Sequence, residues 1–318
     1  MAEKSKEKKG GEFIAFAKDF AVGGVSGGIA KTCTAPMERV KLIMQTQDAN
    51  PRIRSGEVAR YDGIRDCFLR IPKEQGVKAF WRGNLTNVVR YIPTQAFNFA
   101  FKDRIKNLFP KYNSDKDFGK FASVQIASGA MAGTGCLCIV YPLDYARTRL
   151  GSDVGQGSRD FKGLTECIVK TATGPKGPLA LYNGFGISVL GIIPYRGVYF
   201  GLYDSMREKN PYKKDHGVKG IITRFAIAQF SAVSAGLVAN PFDIIRRRLQ
   251  MQSDKPQKEW VYTGAANCAS TILRKEGWRA FYKGAGANAI RTLGSALVLV
   301  LYDQFQFMLG IEEEKARE

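Results

Sequence analysis

The hexapeptides PMERVK (36–41), PLDYAR (142–147) and PFDIIR (241–246) follow one pattern: proline, any residue, an acid, two further residues, a base. The likeness continues outward from each. YDGIRDC (61–67), FKGLTEC (161–167) and YTGAANC (262–268) come next, followed by VKAFWRG, PLALYNG and WRAFYKG, which end at Gly83, Gly184 and Gly284. Equivalent positions in these later blocks lie 100 or 101 residues apart, and Cys67, Cys167 and Cys268 share one of them. Such a period marks one structural unit used three times. The chain divides into a polar tail (1–12), repeats at 13–110, 111–213 and 214–309, and a charged tail (310–318).

Each repeat holds two apolar spans. Phe121–Leu143 runs 23 residues without a charge and Phe225–Phe242 runs 18, close to the roughly 20 a bilayer-spanning helix needs. Four more, near 18–40, 83–101, 184–203 and 285–302, are interrupted chiefly by Lys31, Arg90, Arg196 and Arg291. Glycines four apart, at Gly23–Gly27, Gly24–Gly28 and Gly129–Gly133, let membrane helices approach closely. The mean hydropathy of −0.20 hides this segregation, because the segments between spans are strongly charged. The pattern predicts an all-α membrane protein: six transmembrane helices in a pseudo-threefold bundle, with a short amphipathic helix in each repeat's polar connection. The opening MAEKSKEKKG reads as a solvated tail, with no secretion signal or transit peptide.

An apolar content of 45% excludes a disordered chain. Forty-eight basic against 29 acidic residues leave a net charge of +19, which suits nucleic acid or small polyanions. Six spans leave no soluble basic module, so nucleic acid is set aside. There is no CxxC and the single histidine, His216, lies in a charged connection, so no metal site is expected. No Walker A motif or catalytic triad points to an enzyme.

Proline inside a helix removes a hydrogen bond and bends it. Charges facing lipid cost several kcal/mol, so Glu38, Lys41, Asp144, Arg147, Asp243 and Arg246 must face one another or water. Alternating acids and bases then form interhelical pairs that break and re-form, although a purely structural ring would use the same residues. Arg90, Gly191 and Arg291 each follow Gly83, Gly184 or Gly284 by seven residues, about 10 Å of helix, and should share one depth. Lys31, five residues before Pro36, is expected near that level. A cavity lined by Lys31, Arg90 and Arg291 suits a polyanion: arginine forks bind phosphate bidentately and lysine acts as a point charge. Snorkelling to an interface is the alternative, and is difficult for mid-span arginines. Gly191, Ile192 and Tyr195 form an uncharged side able to receive a flat base such as adenine.

These blocks resemble the mitochondrial carrier family, whose hallmark is the thrice-repeated P-x-[DE]-x-x-[KR]. AKTCTAPMERVKLIMQTQ, FWRGNLTNVVRYIPTQAFNFAFKD, YPLDYARTRL and the RRR at 246–248 look like the branch that exchanges ADP for ATP. The resemblance covers about 13–309 and implies a multi-pass antiporter of the mitochondrial inner membrane working by alternating access. It implies a matrix-side gate of Glu38 with Lys41, Asp144 with Arg147 and Asp243 with Arg246, braced by Gln45 and Gln250. On the cytoplasmic side it implies Asp103 with Lys106, Asp204 with Arg207, and Asp303, whose base is replaced by Gln306. It assigns Lys31, Arg90 and Arg291 to phosphates, Gly191, Ile192 and Tyr195 to adenine, and Asn98 and Arg246 to nearby polar contacts. ADP and ATP are the implied substrates and cardiolipin the implied bound lipid, with no cofactor and a monomer as the functional unit.

The chain departs from that pattern at several points. RRRLQM stands at 246–251 in place of RRRMMM, Asn240 precedes Pro241 where an aromatic is usual, and Asn183 replaces a base before Gly184. Pro194 is expected to tilt Tyr195. Two further readings therefore stay open at this stage: a carrier-fold structural subunit of a larger inner-membrane complex, or a transporter of another nucleotide or phosphate-bearing anion.

Overall fold

A computed structural model of the chain describes residues 24–308 other than 26, 111, 113–116, 158, 213–214 and 216; for 99, 102, 103, 106, 118, 122 and 297–308 the backbone alone is described. Both tails and His216 lie outside the described residues. Among these residues the regular structure is entirely helical. The helices are α1 (27–46), α2 (Ile64–Gln75), α3 (Asn84–Val89), α4 (Tyr91–Asn107), α5 (Phe118–Gly151), α6 (Leu164–Ala172), α7 (Phe185–Glu208), α8 (Val218–Gln250), α9 (Ala265–Glu276) and α10 (Ala285–Met308). The fold is the expected one: α1, α5 and α8 are the first spans of the three repeats, α3–α4, α7 and α10 the second, and α2, α6 and α9 the short connecting helices.

Pro36, Pro142 and Pro241 sit inside α1, α5 and α8. The α3–α4 span is interrupted at Arg90, where Pro93 has no N–H to give the Val89 carbonyl. The observed helices outrun their apolar cores. α5 has 34 residues, about 51 Å at 1.5 Å each, against a hydrocarbon layer of roughly 30 Å. Its overhang carries the charged residues after Pro142. The helical stretches Gly119–Gly151, Gly177–Glu208 and Val218–Gln250 are each long and apolar enough to cross a bilayer unaided.

Burial is distributed as lipid requires. Leu85, Ile92, Ile139, Leu190, Ile221, Phe230 and Ile290 point outward and are exposed. The buried apolar clusters gather instead where the short helices lie: Val40, Ile43, Cys67 and Ile71 in the first repeat, Tyr145, Phe161 and Cys167 in the second, Ile244, Leu249, Cys268 and Ile272 in the third. Each fully buried isoleucine there contributes about 1.5–3 kcal/mol. Cys67, Cys167 and Cys268 are unpaired and buried, and burial pushes each thiol up to about 12.

Three glycines join the repeats into a closed ring. Gly83, Gly184 and Gly284 take φ of 79°, 82° and 77°, a region that favours glycine. Each also abuts the next repeat's first span: a Cβ would come within 3.3 Å of the Arg147 carbonyl oxygen at Gly83, 3.0 Å of that of Arg246 at Gly184, and 3.2 Å of that of Lys41 at Gly284. These contacts set the ends of the second spans against the charged motif.

Candidate functional site

The motif charges form a ring across the repeat boundaries. Glu38 of the first repeat is ion-paired with Arg147 of the second. Asp144 Oδ2 of the second accepts from Arg246 Nη2 of the third at 2.9 Å, and Asp243 Oδ2 of the third lies 3.1 Å from Lys41 Nζ of the first. An acid and a base three residues apart share a helix face, yet each reaches a different neighbour. All six side chains are less than a quarter exposed. Buried pairs of this kind roughly break even between desolvation and attraction, while stripping one partner costs about 3–5 kcal/mol. The ring is therefore costly to damage at any one member.

Gln45 is joined to the ring: its Nε2 donates to Asp243 Oδ2 at 3.4 Å and to Asn240 Oδ1 at 3.3 Å. Asn240, in place of the usual aromatic, donates its Nδ2 to the Phe281 carbonyl at 2.7 Å and so ties this brace to the third repeat. Gln250 holds the equivalent place in the third repeat. It is fully buried, and no hydrogen bond joins it to the ring among the described residues.

Above the ring is a cavity of two lobes, of about 400 and 560 Å³, which share Gly133 and Arg196. Gly191, Ile192, Tyr195, Arg246 and Arg291 line the first lobe; Arg90 and Asn98 line the second. The expected site residues are thus brought together, with one exception. Lys31 is not on either lobe's wall: its Nζ donates to the Asn87 carbonyl at 3.2 Å and lies 5.2 Å over the Tyr91 ring.

Two cations differ in state. Arg90 is ion-paired with Asp144 and thereby tied to the ring. Arg291 makes no ion pair among the described residues, and donates Nε and Nη2 to Asn288 Oδ1 at 3.3 and 3.2 Å. Asn98 donates to Gln95 Oε1 at 3.3 Å. Gly191 is less of an open slot than its sequence suggests, since Phe242 fills the space: an added Cβ would meet Phe242 Cβ at 2.9 Å. Pro194 is accommodated within α7, and Tyr195 keeps its place on the cavity wall.

Sequence reasoning missed two features. Arg196, noted only as an interruption of a span, stands where the lobes meet, in room left by Gly129, whose Cβ would lie 3.4 Å from its Nη1. Its status as the fourth intraspan cation was the available signal. Tyr195, Tyr199 and Tyr203 also form a ladder of near-parallel rings, with centroids 6.2 and 5.8 Å apart; their i, i+4 spacing on α7 was visible. Of the cytoplasmic-side set, the side chains of Asp103, Lys106, Asp303 and Gln306 lie outside the described residues, and Asp204 and Arg207 make no ion pair among the described ones.

A closed ring of three two-span repeats, with a cationic cavity ending on inter-repeat ion pairs, is the architecture of a membrane carrier with a central binding site. The family model for mitochondrial carrier proteins matches residues 13–113, 119–214 and 217–313, and the chain belongs to the mitochondrial carrier family, a family of transporters. The ADP,ATP carrier protein of Parachlorella kessleri is 54% identical over 294 residues, covering 92% of this chain and 85% of that one. ADP/ATP translocase 3 of Homo sapiens is 49% identical over 296 residues (92% and 97%). ADP/ATP translocase 4 of Bos taurus is 47% identical over 313 residues (98% and 94%).

Proposed function

We propose that this chain exchanges ADP for ATP across the mitochondrial inner membrane by alternating access. The observation that carries the reading is the cavity itself, where Arg291 and Arg196 line one lobe together with the apolar side chains of Ile192 and Tyr195 above the ion-pair ring. The similarity to proteins named as ADP/ATP carriers, over more than nine-tenths of the chain, supports it.

In this reading the ring is the matrix-side gate, with Gln45 as its brace, and the described conformation has it closed. Arg90, Arg291 and Lys31 hold phosphates, Gly191, Ile192 and Tyr195 receive adenine, and Asn98 and Arg246 supply polar contacts. Asp103, Lys106, Asp204, Arg207 and Asp303 form the opposing gate. A phosphate entering the second lobe competes with Asp144 for Arg90. Once Arg90 transfers, Asp144 keeps a single partner, Arg246, and the ring has one link fewer to break. Substrate binding thus weakens the gate that blocks its path. ATP carries one more negative charge than ADP, so exchange moves net charge, and a membrane potential biases it by about 2.3 kcal/mol per 100 mV. Cardiolipin is the bound lipid of this reading, no cofactor is needed, and one chain is the functional unit because it supplies all three repeats.

The test is counter-exchange in proteoliposomes. Vesicles loaded with ADP should take up labelled ATP, and empty vesicles should not. Absence of exchange by well-folded protein that co-purifies in a stoichiometric complex would instead fit a structural subunit, and preference for a different phosphate-bearing anion would change the cargo.

A further inference from the structure

Three residues before Arg90, Gly191 and Arg291, on the same helix face, stand Asn87, Ser188 and Asn288. The repeats therefore offer an internal comparison. In the first, the Asn87 amide donates to the gate acid Glu38, and Arg90 reaches away to Asp144. In the second there is no arginine to hold, and Ser188 donates to the Gly184 carbonyl at 2.8 Å. In the third, Asn288 Oδ1 receives both Nε and Nη2 of Arg291.

We propose that Asn288 is a positioning residue for Arg291, a role that rests on the nucleotide reading above. A guanidinium has five N–H donors in a rigid plane. Asn288 grips the edge formed by Nε and Nη2, leaving Nη1 directed to other partners. Because the acceptor is neutral, the fork is oriented without being neutralised, and its charge stays available to a phosphate in the lobe. Arg90 displays the opposite outcome, since on Asp144 its charge is already matched. Asp243 lines the same lobe as Arg291, so without Asn288 the guanidinium is free to turn toward that carboxylate. The Asn288 side chain is itself confined by α8: a Cβ on Gly236 would lie 3.2 Å from its Nδ2.

Asn288→Asp separates orientation from charge, because it keeps an acceptor oxygen of the same shape but adds a negative charge. Exchange kinetics in proteoliposomes should show KM raised on the order of tenfold, the loss of one charge-assisted contact, with a larger effect for ATP than for ADP. kcat and the ligand-free unfolding temperature should change little. Asn288→Ala should raise KM for both nucleotides alike, without the Asp variant's bias against ATP. Unchanged KM in the Asp variant overturns the proposal. Should that variant fail to reconstitute, Asn288→Ser retains an acceptor, and its ADP affinity must fall between wild type and Asn288→Ala; equal affinities in all three overturn the proposal. If Arg291→Ala exchanges normally, the phosphate reading itself fails. If Arg291→Ala is inactive while the Asn288 variants behave as wild type, only the positioning role fails.

Discussion

Arg90 is ion-paired with Asp144 across the boundary between the first and second repeats. Asp144 is 3% exposed and its other oxygen is held by Arg246, so one buried carboxylate serves both a cavity cation and the ion-pair ring. This predicts two effects of opposite sign. Asp144→Asn should lower the unfolding temperature, because two cations lose a buried partner at a cost of about 3–5 kcal/mol. It should also release Arg90, so that half-maximal thermal stabilisation is reached at a lower ADP concentration. A variant that loses stability and ADP affinity together would contradict the competition.

The Glu38–Arg147 pair provides a second check. Glu38→Arg and Arg147→Glu should each, taken singly, destabilise the ring by a few kcal/mol. Combining Glu38→Arg with Arg147→Glu should recover part of that loss, with a coupling energy of roughly 0.5–3 kcal/mol from a double-mutant cycle. Additive losses in the reversed pair would show that the two side chains do not meet in the membrane.

Thiol chemistry distinguishes the repeat cysteines from the others. Cys67, Cys167 and Cys268 are buried and pushed up to about 12, so little thiolate forms at neutral pH. Cys33 and Cys138 are exposed. In detergent, maleimide followed by mass spectrometry should label Cys33 and Cys138 first and the repeat trio only on unfolding. Early labelling of any of the three contradicts the packing.

A pH dependence follows from Glu276, at the end of α9. Burial opposes its ionisation, but hydrogen bonds from Arg248, at 2.9 Å, and Lys283, at 2.5 Å, hold it down to about 2. The same two cations bind Asp48 of the first repeat, so the cluster fastens the third repeat to the first. A carboxyl lowered on folding stabilises above its unfolded value, 4.5, and loses that contribution as the pH falls toward 2. Glu276→Gln should therefore unfold at a lower temperature than wild type near pH 6, with the gap narrowing toward about pH 3. A gap independent of pH would remove the charge from the explanation.

How much of this was legible in the sequence differs from residue to residue. The threefold period, the interior prolines, the span positions and the six charges of the ring were all readable, and so was the grouping of Arg90, Arg291, Ile192 and Tyr195 around one cavity. Helix periodicity places residues on faces and at depths, and those are the quantities that spacing encodes. Depth does not specify direction, and the Lys31 side chain turns to the Asn87 carbonyl and the Tyr91 ring instead of onto either lobe's wall.

The sequence by itself determined that three similar units, each with two spans, must bury their charges against one another, since isolated charges in lipid are too costly to leave unmatched. Only the tertiary structure decided which acid meets which base. Each repeat offers the same acid and base three residues apart, so local spacing is symmetric among the possible pairings. The partners are chosen when Gly83, Gly184 and Gly284 bring each second span against the next repeat's motif. The same closure decides that Asp144 receives Arg90 while Arg291 is left to Asn288, an asymmetry that arises because the packing around three similar helices differs from one repeat to the next.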